Sequence, residues 1–152
     1  MTEHHLDEGM MALALAEARV SSDAGDVPVG AVVTRGDEVL SRAGNAREQE
    51  QDPTAHAEIV ALRGAAAAVG TWHLEGCTMY VTLEPCAMCA GALVLSRIDR
   101  LVFGAVDPKA GFAGSLGDLV RDGRLNHAVD VASGVLEQEC GDVLRAFFAE
   151  RR

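Results

Sequence analysis

Two short motifs restrict how this chain of 152 residues can fold, because their side chains together suit one metal ion. The first is His-Ala-Glu at 56–58, and the second is Pro-Cys-Ala-Met-Cys at 85–89. Cysteines at positions i and i+3 of a helix project on the same side, so both can reach a single ion. Near a helix N-terminus the dipole favours the thiolate, which is the form of cysteine that binds metals. The fold must therefore bring the first motif to the start of a helix that begins near Pro85.

Hydrophobic periodicity predicts helices and strands that alternate along the chain. The spacing of apolar residues predicts a first helix over Leu6–Ala18 and a last one over Leu136–Phe148. Each metal-binding motif is expected at a helix start, one helix being capped by Thr54 and running to about Val69, the other beginning near Pro85. Apolar or β-branched runs predict strands at Val27–Thr34, Glu38–Arg42, Thr78–Leu83, Leu101–Ala105 and Ala128–Ala132. Alternating helices and strands indicate an α/β sheet covered on both faces.

The composition is that of an ordinary globular chain, with 49% hydrophobic and 24% charged residues. No internal repeat, linker or compositional break divides the sequence, so residues 1–152 are expected to form a single domain. The N-terminus lacks a basic stretch followed by an apolar one, and the longest apolar runs are too short for a membrane span. The expected location is therefore the cytoplasm.

The formal net charge of −10 argues against a nucleic-acid ligand, because an acidic surface repels phosphates. The charge is unevenly distributed, since cations outnumber acidic residues by one between Arg97 and His127. A locally neutral to basic face is therefore compatible with an acidic chain, although such charges are more often a solvated surface. Arg145, Arg151 and Arg152 could add to such a face.

Sulfur and imidazole ligands favour zinc over magnesium or calcium, and we expect His56, Cys86 and Cys89 to hold one Zn²⁺ ion. Three protein ligands leave one tetrahedral position open, as in catalytic rather than structural sites. Zinc lowers the pKa of a bound water to about 7, so that hydroxide forms at neutral pH. Glu58 follows His56 by two residues, and at a helix start its carboxylate can lie beside that water and move a proton.

Two other interpretations of these motifs remain open at this point. A structural zinc site would take Cys77 or Cys140 as a fourth ligand and would have no need of Glu58. A Cys-x-x-Cys redox pair would leave the His-x-Glu motif unused. Either half of the pattern alone is weak evidence, but the two motifs together favour a catalytic metal centre.

Longer stretches around both motifs resemble a known family. The segments Asp-Pro-Thr-Ala-His-Ala-Glu-Ile at 52–59 and Val-Thr-Leu-Glu-Pro-Cys-Ala-Met-Cys-Ala-Gly-Ala at 81–92 resemble bacterial tRNA-specific adenosine deaminases of the TadA type, within the cytidine deaminase-like zinc deaminases. Further matching segments extend over nearly the whole chain, at 96–98, 103–105, 114–115, 126–127 and 147–148. The resemblance implies a three-layer αβα sandwich around a five-stranded mixed sheet, usually as a homodimer with one Zn²⁺ per subunit.

The resemblance also implies the reaction, which is hydrolytic deamination of adenosine to inosine at the wobble position of an arginine tRNA anticodon. By that analogy Glu58 protonates the adenine ring and then the departing ammonia, and the backbone N–H of Ala57 holds the attacking oxygen. Contacts with the flipped base would come from Asn45, Val29, Leu83 and Glu84. Contacts with the tRNA anticodon stem-loop would come from Asp107, Lys109, Asn126 and Phe148.

Simpler interpretations exist for several of these contact residues. Asn45 could cap the end of a strand, Val29 and Leu83 could belong to the core, and periodicity alone would bury Phe148. The same metal-binding motif occurs in deaminases of free cytidine, guanine or pterin-like bases, so a small-molecule deaminase is one alternative function. A non-catalytic, zinc-stabilised RNA-binding subunit is another, although Glu58 would then have no purpose.

Overall fold

The predicted alternation of helices and strands is present in the computed structural model, which describes residues 3–151, so that Arg152 lies outside the described residues. The helices of this part of the chain are α1 (Glu3–Asp23), α2 (Arg47–Glu50), α3 (Ala57–Val69), α4 (Ala87–Leu95) and α5 (Glu137–Ala149). The strands are β1 (Gly30–Arg35), β2 (Glu38–Gly44), β3 (Cys77–Leu83), β4 (Arg100–Ala105) and β5 (Asp130–Ser133). Within residues 3–151, no helix has both the length and the apolar character needed to cross a bilayer.

All five strands belong to one mixed sheet with the order β2-β1-β3-β4-β5. Strand β1 pairs antiparallel with both β2 and β3, whereas β3, β4 and β5 run parallel. Parallel neighbours need a crossover connection, and α4 supplies it between β3 and β4. The predicted α/β class with a five-stranded mixed sheet is confirmed.

Side chains on the strands alternate between two apolar layers, because successive residues of a strand point to opposite faces. Val32, Tyr80 and Val102 pack with α1 and α5 in one layer. Val33 and Val81 pack with α3 and α4 in the other. The sheet is therefore the middle of three layers, as the resemblance implied, and the helices that carry the two metal-binding motifs lie on the same face.

Some boundaries differ from the predictions. Helix α3 is capped by His56 and not by Thr54, because the Thr54 hydroxyl and N–H both donate to the Asp52 carboxylate instead. Helix α2 has only four residues, all polar, so no apolar periodicity signals it. Strand β1 begins three residues later than predicted and strand β5 two residues later. An apolar run does not mark the residue at which hydrogen bonding to the neighbouring strand starts.

A buried ion pair ties the first helix to the middle of the sheet. Both oxygens of Asp7 in α1 accept hydrogen bonds from the Arg100 guanidinium of β4, each at 2.8 Å, and the Tyr80 hydroxyl of β3 donates to the same carboxylate at 3.0 Å. Burial alone would raise the pKa of Asp7, but these hydrogen bonds hold the pKa below its usual value. The ionised carboxylate therefore stabilises the folded chain.

Replacing this carboxylate should cost stability in a pH-dependent way. We expect Asp7→Asn to lower the free energy of unfolding near neutral pH by about 2–3 kcal/mol, since it leaves Arg100 without its buried partner. Because the folded pKa lies below the unfolded value of about 3.9, this difference is fully present above that pH. It shrinks as the pH falls through the folded pKa, which urea titrations at neutral and acidic pH measure.

Glu3→Gln is the matched control for this prediction. Glu3 binds the same guanidinium at 3.0 Å but is exposed, so its loss should cost at most about 0.5 kcal/mol. An equal loss from both variants would contradict the role of Asp7 as the principal partner of Arg100.

Candidate active site

The two motifs predicted to share a metal meet where α3 and α4 begin. His56 and Cys86 are the residues just before these helices and have extended backbone conformations, while Cys89 lies in the first turn of α4. The Nδ1 atom of His56 lies 3.6 Å from Sγ of Cys86 and 3.5 Å from Sγ of Cys89. The three donor atoms all lie within 4.8 Å of one another. The fold therefore gathers three side chains that can hold one metal ion.

The donor distances fit a small tetrahedral ion. Such an ion, with bonds of about 2.3 Å to sulfur and about 2.0–2.1 Å to nitrogen, holds these two kinds of donor about 3.6 Å apart. The two N···S distances match that separation. Cys77 and Cys140 are buried and do not belong to the donor group, so neither is the fourth ligand that a closed structural site would need.

The surroundings of Cys86 favour its thiolate form. Hydrogen bonds with Cys89 and His56 lower the pKa of the Cys86 thiol, although burial opposes this effect. The N-terminus of α4 adds the positive end of a helix dipole beside the same sulfur atom. Because the thiolate is the metal-binding form, the Cys86 sulfur is suited to bind a cation at this position.

Glu58 lies beside the donor group, in the first turn of α3. It is only 4% exposed, and burial raises the pKa of its carboxyl to about 7. Residues two apart do not share a face of a regular helix, but His56 precedes the helix in an extended conformation, so both side chains can reach one site. A buried carboxyl group at this place can accept a proton and return it.

An open cavity of about 180 Å³ is lined by Glu58, His56 and Cys86. Most of the residues predicted to contact substrate share its wall, namely Val29, Asn45, Ala57, Leu83, Glu84 and Asp107. Val27, Arg47 and Ala110 complete the wall, and no motif in the sequence signals them. Proximity to Asn45 could have indicated Arg47, but the short polar helix that carries it has no recognisable pattern.

Hydrogen bonds to the backbone hold the Asn45 side chain on the cavity wall. Its amide nitrogen donates to the Val27 carbonyl at 3.1 Å, and its side-chain oxygen accepts from the Arg47 N–H at 3.3 Å. The Ser21 hydroxyl donates at 2.8 Å to the main-chain carbonyl of Asn45 and so holds the backbone of the same residue. Asn45 follows directly after β2 and lines the cavity, so the capping interpretation and the binding interpretation are compatible.

Three of the residues expected to contact RNA do not line the cavity. Lys109 lies on the exposed loop after β4, between two residues of the cavity wall, and Asn126 is exposed further along the chain. Phe148 is 49% exposed, with its ring at 87° to that of the buried Phe147. The interpretation that periodicity buries Phe148 is wrong, because α5 turns Phe147 toward the protein instead.

Comparisons with known proteins show the family of this chain. The MafB19-like deaminase family matches residues 5–152. A tRNA-specific adenosine deaminase of Bacillus subtilis (strain 168) is 53% identical over 146 residues, which cover 96% of this chain and 91% of that protein. The chain belongs to the tRNA-specific adenosine deaminases.

Two solved structures share the fold of this deaminase but differ in their sequence identity to it. One, from a study of A-to-I editing by tRNA:A34 deaminases at the wobble position of transfer RNA, has a TM-score of 0.87 and 44% identity over 90% of this chain and 99% of that one. A guanine deaminase from Nitrosomonas europaea has a TM-score of 0.81 and 26% identity, over 93% of this chain and 84% of that one. The fold is therefore cytidine deaminase-like, and the guanine deaminase is the more distant in sequence.

The donor group of the deaminase should bind one metal ion per chain. We expect Cys89→Ala to lose that ion and to unfold at a lower temperature, because one of three donors is gone and metal binding contributes to folding. Metal content after dialysis and thermal unfolding measure the two effects. Cys140→Ala is the matched control, since it also removes a buried thiol but lies outside the donor group. Metal retained by Cys89→Ala would contradict the site.

Proposed function

We propose that this deaminase hydrolyses adenosine to inosine at the wobble position of an arginine tRNA anticodon. The observation that carries the proposal is the placement of Glu58, a buried carboxyl in the wall of an open cavity beside three metal donors. The substrate class rests on the relatives, among them the Bacillus subtilis tRNA-specific adenosine deaminase. Water replaces the exocyclic amine of the base, so the products are inosine and ammonia.

The metal is proposed to be Zn²⁺, with one ion per subunit held by His56, Cys86 and Cys89. Thiolate and imidazole donors at tetrahedral distances support zinc over magnesium or calcium. When bound, such an ion lowers the pKa of a coordinated water to about 7 and so supplies hydroxide at neutral pH. Groups of the protein itself then bind the substrate and transfer the protons.

Glu58 is proposed to move the protons of the reaction. Its carboxylate accepts a proton from the attacking water and delivers it to a ring nitrogen of adenine, and a second proton follows to the departing amine. Its burial in the cavity wall places this exchange inside the cavity and not on the outer surface. Ala57, which lines the same cavity, would direct its backbone N–H toward the attacking oxygen.

The target base is proposed to enter the cavity between Val29, Leu83, Glu84 and Asn45, all of which line it. A base in a single-stranded loop can be splayed out of its stack to reach such a site. The anticodon stem-loop would then contact Asp107, Lys109, Asn126 and Phe148, of which Asp107 lies at the cavity and the others on exposed surface. With a net charge of −10, recognition would rest more on splayed bases than on phosphates.

A deaminase of free bases is the second candidate function, because a guanine deaminase shares the fold at a TM-score of 0.81. Its sequence identity of 26% is about half that of the Bacillus subtilis relative, which favours the tRNA substrate. A non-catalytic RNA-binding subunit is disfavoured by the buried carboxyl of Glu58 beside the donor group.

Inosine formation in an arginine tRNA anticodon stem-loop tests the proposed reaction. We expect inosine there and little ammonia from free adenosine, cytidine or guanine. Glu58→Ala should lower kcat at least about a hundredfold while keeping the metal and the fold, because it removes the proton carrier and no ligand. Mass spectrometry of the digested RNA and the metal content per chain measure these effects.

Glu139→Ala, which removes an exposed carboxylate of α5, is the control with unchanged activity. Retained activity in Glu58→Ala would contradict the mechanism. Ammonia release from free bases, with no inosine in the stem-loop, would instead contradict the substrate.

The deaminase is further proposed to work as a homodimer, as the family resemblance implied. A mainly apolar surface between α3 and α4 supports this, and besides Arg63 and Ser96 it is formed by Leu62, Ala66, Trp72, Leu74, Ala92 and Leu95. Leu95 is 71% exposed and Trp72 56% exposed, and contiguous apolar surface of this kind marks interaction sites. A second copy on this surface would support the two helices whose N-termini hold the metal donors.

Leu95→Glu should convert the dimer into a monomer, because a carboxylate in a mainly apolar interface loses its hydration at a cost that exceeds what pairing with Arg63 on the same surface returns. Sedimentation velocity measures the mass of the particle in solution. Val20→Glu is the control, since Val20 is 62% exposed but lies on α1, in the opposite layer. If Leu95→Glu keeps the dimer mass, this surface is not the interface.

We also propose the number of domains and the cellular location of the deaminase. Residues 1–152 would form one deaminase domain, and the single sheet that joins β1 to β5 supports this. The cytoplasm is the proposed location, supported by Cys77 and Cys140, two thiols outside the metal site that form no disulfide and that a reducing compartment preserves.

A further inference from the structure

Glu84 is a buried carboxylate that the proposed proton transfers do not use. It is 2% exposed and lies directly after β3, two residues before the metal ligand Cys86. Its Oε1 atom accepts hydrogen bonds from the Asp107 N–H at 3.0 Å and from the Ser115 hydroxyl at 2.5 Å. Its Oε2 atom accepts the N–H groups of Ala113 and Ser115, each at 3.0 Å.

These four hydrogen bonds use the full capacity of the carboxylate. Two ionised oxygens offer about four acceptor positions, so Glu84 lines the cavity beside the base but has no position left to accept a hydrogen bond from it. All four donors come from residues 106–117, here called the anchored loop. Because hydrogen bonds to an ionised acceptor are stronger than neutral ones, one side chain can hold a loop that consists of turns and a single isolated bridge.

The backbone of the anchored loop packs directly against this carboxylate at Gly111. A Cβ atom at that position would overlap the carboxylate of Glu84. The Phe112 N–H donates to the Pro85 carbonyl at 2.8 Å, and just before the loop begins the Glu84 N–H donates at 2.9 Å to the carbonyl of Ala105, the last residue of β4. The loop is therefore tied, through backbone and side chain, to the segment that leads into the metal-binding motif.

The anchored loop also forms one side of the catalytic cavity. Asp107 and Ala110 line the cavity, and the exposed Lys109 lies between them. The Asp107 carboxylate accepts the N–H groups of Lys109 at 3.1 Å and Ala110 at 3.2 Å. Since the N–H of the same Asp107 binds Glu84, any displacement there moves the turn that faces the substrate.

We infer that Glu84 is a positioning residue, which holds the anchored loop and thereby sets the shape of the substrate-binding side of the cavity. Its effect on RNA binding rests on the proposed function, whereas its anchoring of the loop does not. Glu84 thus connects the start of α4, which carries two metal ligands, to the loop that would meet the anticodon.

Three substitutions separate this role from general damage to the fold. Glu84→Gln keeps the size of the side chain but replaces one carboxylate oxygen with an NH₂ group, which cannot accept a hydrogen bond. If that NH₂ group takes the place of Oε1, it can donate to the Ser115 hydroxyl, but the Asp107 N–H loses its acceptor. Ser115→Ala removes one of the four hydrogen bonds at a residue outside the cavity wall, so it keeps the test valid if Glu84→Gln folds poorly. Asp26→Asn is the matched control, because Asp26 is another buried carboxylate that accepts N–H groups, but from α2.

A lysine-specific protease measures the anchoring directly. Lys109 is the only lysine of the sequence, so such a protease can cut the chain at one peptide bond, inside the anchored loop. Cleavage of a native chain follows local opening, and we expect its rate to rise about tenfold in Glu84→Gln and by a smaller factor in Ser115→Ala. Asp26→Asn should cleave at the wild-type rate. A wild-type rate in both loop variants would overturn the anchoring.

Kinetics on the arginine tRNA stem-loop test the consequence for binding. We expect KM to rise about tenfold in Glu84→Gln, with metal content unchanged and a much smaller change in kcat, because a misplaced binding surface weakens the ground state and the transition state alike. A fall in kcat at unchanged KM would overturn the positioning role. If the wild-type chain failed to act on the stem-loop, the proposed function would fail, while the protease result would still decide the anchoring.

Discussion

The meeting of two helix N-termini on one face of the sheet is the constraint on which the site depends. Three donor atoms lie within 4.8 Å of one another only because α3 and α4 begin at the same place. His56 and Cys86 sit just ahead of those helices, where extended backbone frees their side chains from helical spacing. The positive ends of both helix dipoles then face the thiolate and Glu58, which offsets part of the cost of collecting negative charge in a buried site.

The two layers on either side of the sheet have different tasks. The layer of α3 and α4 carries the donors, Glu58 and the cavity, and its helices pack on the sheet through small and branched side chains. The opposite layer holds the ion pair of Asp7 with Arg100, which joins α1 to the parallel strands. Residues of β3 and β4 pack in both layers. The ion pair on one face therefore stabilises β3, the strand that leads into the metal-binding motif on the other face.

The sequence was a good guide where chemistry or periodicity is local. His56, Cys86 and Cys89 were recognisable from residue type and spacing, and the strands from their apolar runs. The predicted cap of α3 is wrong because Thr54 bonds to the Asp52 carboxylate instead, and the helix starts two residues later, after His56. The contacts of Glu84 could not be foreseen, because they depend on the path of a loop more than twenty residues further along the chain.

The saturated carboxylate of Glu84 bears on how a chain with a net charge of −10 can approach a polyanion. Formal charge counts every carboxylate as a source of repulsion, yet one enclosed by four N–H and O–H dipoles has much of its field cancelled at short range. Asp107 likewise accepts two backbone N–H groups, and Arg47 adds a positive charge to the same wall. The carboxylates of this wall are therefore already bound by donors of the chain itself, and the overall charge is a poor guide to the ligand.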